Sequence, residues 1–145
     1  VPYVVETSIG LDRMFLAVLA SSYVEEVLDN NSKRIVLKIP HFLAPYKVAV
    51  LPLVKKDGLP KYAKEIYNNL KIHFNITYDE KDAVGRRYRR QDALGTPFCI
   101  TVDHDFPKDK TVTLRFRDSM EQIRVSILEI KDEIDKRINL SNYLS

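Results

Sequence analysis

The chain has 145 residues, 45% of them hydrophobic and 30% charged, the balance of one globular domain able to bury roughly 70% of its unfolded surface. Its 23 basic and 20 acidic side chains leave a net charge of only +3, so total charge does not mark a nucleic-acid binder and the distribution of charge has to decide. The lone cysteine, Cys99, excludes an internal disulfide, and no apolar run approaches the roughly 18 residues of a membrane span, a pattern that fits a cytoplasmic protein without a signal peptide.

Val1 to Val5 is β-prone, Gly10 punctuates, and apolar residues recur at Leu11, Met14, Phe15, Val18 and Leu19. This pattern predicts a strand turning into a helix that Asp29-Asn30-Asn31-Ser32 breaks. Alternation along a strand puts Glu6 and Ser8 on one side, spaced to hold a small ammonium group, while Arg13 falls in the first helical turn, where free N–H groups favour an anion. On spacing alone the same residues also describe an ordinary strand-to-helix corner with surface charges.

The string VPYVVETSIGLDRMFLAVL resembles the third signature motif of class II aminoacyl-tRNA synthetases, and in detail the glycyl members. The resemblance implies that Gly10, Leu11, Asp12 and Arg13 form an ATP-binding element with catalytic Arg13 on the γ-phosphate. It also implies that Glu6, Thr7, Ser8, Ile9 and Gly10 form the glycine site. Thr7 departs from the family, where many members carry proline. The upstream motifs that complete such a site are absent from the sequence, so the fragment alone is expected to lack ligase activity.

Residues 30–45, framed by Pro40 and Pro45 and containing a possible short strand from Arg34 to Ile39, read as a linker between a catalytic-core remnant (1–29) and a complete domain (46–145). Val48 to Val54 suits a strand covered on both faces. Asp57 is placed to cap a helix with Pro60 in its first turn and Tyr62, Ile66 and Leu70 as its apolar stripe, and Asn75 to Tyr78 returns as a strand. Asp82 then caps a short helix from Val84 to Leu94, stopped by Gly95 and Pro97 before a strand at Phe98 to Val102. Thr111 to Arg117 alternates as a half-exposed strand, Ile123 to Ile127 offers another, and Ile127, Ile130, Ile134 and Ile138 mark a closing helix before a loose tail from Ser141 to Ser145. The expected fold is α/β, a mixed and mostly parallel five-stranded sheet with about three helices, in which strand-helix-strand units are right-handed.

Positive charge concentrates in Gly85-Arg86-Arg87-Tyr88-Arg89-Arg90. Arg86, Arg89 and Arg90 share one helical face, and cations in a first turn oppose the helix dipole by about 0.3 to 1 kcal/mol each, which points to an external anion as well as to a simple solvated face. Arg115 and Arg117 are expected to add a basic stripe on an exposed strand face, with Asp79, Glu80 and Asp103 near the carboxyl ends of the parallel strands, where open α/β sheets bind ligands. Such groups, with Tyr78 as a stacking ring, are the types that read single-stranded RNA loops.

The segments APYKVAVLPLVKKDGLPKYAKEIYNNL, YDEKDAVGRRYRRQDALGTPFCITVD and TVTLRFRDSMEQIRV resemble the anticodon-binding domain of the glycyl, histidyl, prolyl and threonyl class II synthetases. The resemblance implies binding of the tRNA-Gly anticodon stem-loop by Asp79, Arg86, Arg89 and Arg115, with Glu80, Asp103 and Arg117 as neighbours. For the full-length enzyme it implies glycine, ATP with Mg2+ and a homodimer; for the fragment, no bound cofactor and a monomer or weak dimer. The alternative of a different class is a non-catalytic accessory subunit of polymerase type that binds nucleic acid, against which the retention of Glu6, Ser8 and Arg13 weighs. His41, His73 and His104 lack metal-ligand spacing, so no metal site is expected, and Cys99 reads as a packing residue.

Overall fold

The computed structural model describes residues 2–28 and 31–143. Residues 2–10 form neither helix nor strand, and helix α1 spans Leu11–Ser22 with Gly10 as its N-cap. The expected opening strand is therefore not formed over its described part; Val1 lies outside the described residues. A strand needs a neighbouring edge to satisfy its N–H and C=O groups, and no segment among the described residues supplies one there. The helix also ends well before Asp29. Tyr23–Val27 forms β1 and Lys33–Leu37 forms β2, an antiparallel hairpin whose register runs from Tyr23 opposite Leu37 to Val27 opposite Lys33. Tyr23, Val24 and Val27 favour the pleated form, and pairing to β2 overrides the helical continuation. The segment expected to be a linker thus carries a strand, with Arg34 and Val36 fully buried on its inner side.

The main sheet contains β3 (Val48–Pro52), β4 (Ile76–Tyr78), β5 (Phe98–Val102), β6 (Thr111–Phe116) and β7 (Gln122–Ser126) in the order β4-β3-β5-β6-β7. The first three are parallel, and β6 and β7 continue as an antiparallel meander, giving the expected mixed five-stranded sheet. β3 and β5 are buried at every position, the reason both read as unbroken apolar runs.

Helices α2 (Leu59–Leu70) and α5 (Ile130–Ile138) cover one face, where Ala63, Ile66, Ile130 and Ile134 meet Val48, Val50, Ile100, Val112 and Leu114. Helix α3 (Val84–Leu94) crosses the other face over Ala49, Leu51 and Cys99, with Tyr88 packed against them. A short α4 (Phe106–Asp109) joins β5 to β6, and residues 140–143 form a 3-10 turn; the rest of the expected tail lies outside the described residues. Neither expected aspartate cap forms. The N-cap of α2 is Gly58 with φ +74°, and that of α3 is Ala83, because Asp57 and Asp82 both sit at positive φ one residue earlier in the entry turns. Gly95 ends α3 at φ +79° as predicted, and a side chain there would meet Ile39 and the Leu37 carbonyl at 3.1 Å. That close approach is where the hairpin lies against the end of α3. No helix among the described residues is long and apolar enough to cross a membrane.

Candidate nucleic-acid interface

The carboxyl ends of the three parallel strands form one edge of the sheet. There the chain leaves β4 at Asp79 and Glu80, β3 at Leu53 and β5 at Asp103. Arg87 holds this edge together. Its buried guanidinium donates to the carbonyls of Pro52 at 2.5 Å, Leu53 at 3.1 Å and Asp79 at 3.3 Å, stitching the ends of β3 and β4. In the sequence this arginine is part of one basic run with Arg86, Arg89 and Arg90; α3 lies against the sheet and turns it inward while the others stay at the surface.

Asp79 is partly committed. It accepts a hydrogen bond from Arg90, which also reaches Asp82 at 2.7 Å, and from the Lys81 N–H at 2.9 Å. Glu80 accepts from the Tyr78 hydroxyl, which burial and this carboxylate hold above the ordinary phenol range. Asp103 follows β5 and accepts from Arg124 of β7, whose guanidinium also donates to Thr111 at 2.7 Å and Thr113 at 3.1 Å. Arg124 therefore stands on the open half of the α3 face, beyond the cover of the helix. Sequence reasoning missed it because β7 reads as isoleucine and valine alternating with polar residues, with nothing local to distinguish this one. Arg86 is exposed in the first turn of α3, and Arg89, also exposed, donates to the Lys33 carbonyl at 2.9 Å.

Arg115 and Arg117 are elsewhere. They do lie on the face opposite Val112 and Leu114, as alternation predicts, but that face is covered, and they are 5% and 2% exposed. Asp92 of α3 accepts a two-pronged pair from Arg115 at 2.8 and 3.0 Å and a further bond from Arg34 Nε at 3.0 Å; Arg34 also reaches Glu26 at 2.8 Å. The Arg115 guanidinium lies 4.7 Å from the centre of the Tyr88 ring, and the Tyr88 hydroxyl is 2.6 Å from that of Thr101. Arg117 donates to the Gly95 carbonyl at 2.9 Å and pairs with Asp118 at 2.7 Å. Both arginines stand opposite the start of β5, Arg115 across from Cys99, at the far edge from Asp79 and Asp103. Their charge is spent joining α3, the hairpin and β6, so the exposed basic stripe expected from the sequence does not exist.

At the other end of the chain Glu6, Thr7, Ser8, Ile9, Gly10, Leu11, Asp12 and Arg13 are all exposed. Gly10 stands at the helix start and the Arg13 side chain lies beside it, 3.8 Å from where a Cβ on Gly10 would be, so free helical N–H groups and a guanidinium share one end of α1. Cys99 is buried, and burial pushes its thiol up to about 12, which fits a packing residue rather than a nucleophile.

The chain is similar to known proteins in sequence and in fold. A glycine–tRNA ligase from Rhodopirellula baltica is 56% identical over 145 residues, 97% of this chain and 27% of that protein. The glycine–tRNA ligase of Borrelia hermsii is 48% identical over 99% of this chain and 32% of its own length. The chain thus spans about a third or less of the curated relatives it matches. Among solved structures, the RNA binding domain of threonyl-tRNA synthetase from Cryptosporidium parvum superposes with a TM-score of 0.62 at 22% identity, covering 69% of this chain and 25% of that one. Prolyl-tRNA synthetase from the same organism gives a TM-score of 0.65 at 19% identity, over 79% of this chain and 30% of that one, a likeness of fold. The anticodon binding domain family matches residues 47–137, the whole of the five-stranded sheet with α2, α3 and most of α5, and the chain belongs to that family.

Proposed function

We propose that this chain is the C-terminal part of a cytoplasmic glycine–tRNA ligase and that its sheet edge binds the anticodon stem-loop of tRNA-Gly. The observation that carries this reading is the identity of about half to glycine–tRNA ligases along nearly the entire chain, including the residues outside the anticodon-binding domain. The relatives' names also favour the ligase over an accessory subunit of a polymerase.

In this reading Asp79, Glu80 and Asp103 present carboxylates at the carboxyl edge, where an acceptor can take the amino group of a cytosine, and Arg86 meets phosphate. Arg124 joins them, next to Asp103 on the open half of the sheet. Arg115 and Arg117 act from behind the surface: Arg115 supports the Tyr88 ring and fixes α3 against the sheet, so they are positioning residues. Arg87 has the same role for the loops after β3 and β4.

Residues 1–29 belong with the catalytic core of the full-length enzyme, a homodimer that uses glycine and ATP with Mg2+ to form glycyl-adenylate. The Arg13 side chain beside the helix start at Gly10 supports an anion site for the γ-phosphate, and the likeness to glycine–tRNA ligases supports Glu6 and Ser8 as ligands of the glycine ammonium. That the chain spans only about a third or less of these relatives is in keeping with the rest of such a site being supplied by another part of the full-length enzyme. The fragment alone is inactive in aminoacylation.

Binding of the chain to a tRNA-Gly anticodon hairpin, compared with the same hairpin altered at its second and third anticodon bases, tests the proposal. A preference of about tenfold, roughly 1.4 kcal/mol, is expected at both low and moderate salt. Equal affinities that fall together with salt would overturn base reading by this domain.

A further inference from the structure

The outer face of α3 and the β1–β2 hairpin enclose a groove of about 330 Å3 lined by Lys33, Ile35, Arg89, Arg90 and Ala93. Arg90 is paired with Asp79 and Asp82. Lys33, Arg86 and Arg89 face no carboxylate within ion-pair distance among the described residues; the Arg89 partners, the Lys33 carbonyl and the Ser32 hydroxyl, are neutral. Two of these cations line the groove and the third, Arg86, precedes Arg89 by about one turn, on a molecule whose net charge is only +3.

The gathering is built rather than incidental. Arg34, one residue from Lys33, is locked into Asp92 of the same helix that carries Arg86 and Arg89, so the strand and the helix face each other at a fixed separation. Arg86 and Arg89 lie about one turn apart on α3, and Arg89 reaches across to the Lys33 carbonyl at 2.9 Å. Ile35 and Ala93 give the groove an apolar floor.

We infer that this groove is a second RNA contact, taking the phosphate backbone of the stem that flanks the loop bound at the sheet edge. The inference rests on the anticodon reading for the identity of the RNA. It assigns a binding role to the hairpin, which lies outside residues 47–137 matched by the family. Phosphate contacts of this kind position a nucleic acid without reading its sequence.

The test uses the 145-residue chain, the cognate anticodon hairpin, the hairpin with two anticodon bases changed, and the loop heptanucleotide alone. Lys33→Glu is compared with Lys61→Glu, which makes the same charge change at an exposed position on α2 across the sheet. Lys33→Glu should weaken both hairpins by the same factor, reduce the slope of log affinity against log salt by about one, and leave the heptanucleotide unaffected. Equal effects of the two substitutions, a loss on the heptanucleotide, or a changed anticodon preference would overturn the inference. If the unsubstituted chain binds both hairpins equally and Lys33→Glu still weakens them, the groove stands and the anticodon reading fails. If the preference is intact and Lys33→Glu is silent, only the groove fails.

Discussion

Asp92 is a fully buried carboxylate that answers two guanidiniums, Arg34 of the hairpin and Arg115 of β6. Removing one member of a buried ion cluster leaves the others charged and unpaired, so Asp92→Asn should lower unfolding free energy by about 3–5 kcal/mol, read from urea denaturation. None of this was legible in the sequence: the partners of Asp92 are 58 and 23 positions away, and a charged residue in isolation reads as solvated. Asp118 illustrates a more exposed pairing. Burial alone would raise its carboxyl, but hydrogen bonds from His41, at 3.1 Å, and Arg117 outweigh burial and hold it well below the ordinary range. A depressed carboxylate contributes stability that is fully present above its unfolded value of about 4 and is lost as pH falls through the folded one. The stability difference between the parent chain and Asp118→Asn should therefore be largest above pH 5 and shrink steadily below about pH 4 in acid titrations of urea unfolding.

Among the elements, those built from uninterrupted or alternating apolar residues were legible, and those fixed by partners were not. β3, β5 and β6 follow their periodicity almost to the residue, as do the apolar stripes of α2 and α5. The hairpin was only half visible because Glu25, Glu26, Lys33 and Arg34 break its apolar pattern, and its inner face is made in part by an arginine whose partner lies in α3. The same packing makes Gly95 a sensitive joint. At φ +79° any other residue is strained by about 1–2 kcal/mol, and a methyl group there also presses on Ile39 and the Leu37 carbonyl. Gly95→Ala should therefore lower the unfolding midpoint by more than the backbone strain alone, whereas Gly85→Ala, with open space around it, should leave it unchanged or raise it slightly in thermal melts.

On the scale of the whole molecule, one surface is conspicuously apolar: Leu11, Met14, Phe15 and Leu16 of α1 are at least half exposed, and the first three, with Leu37, Leu43 and Leu94, border a cleft of about 420 Å3. Phe15→Ser with Leu16→Ser should reduce concentration-dependent association in sedimentation velocity without changing the melting temperature, since neither side chain belongs to the core. The sheet order carries a different consequence, for the way the chain is made. The β5-β6-β7 meander pairs neighbours across short connections, but β3, the most apolar strand, finds its parallel partners only when Ile76 and Phe98 arrive to stand beside Val48. During synthesis from the N-terminus, β3 leaves the ribosome without either neighbour, and its burial waits for β5. The rate at which the centre of the sheet closes is thus set by two long-range crossovers, the slow step in mixed α/β topologies.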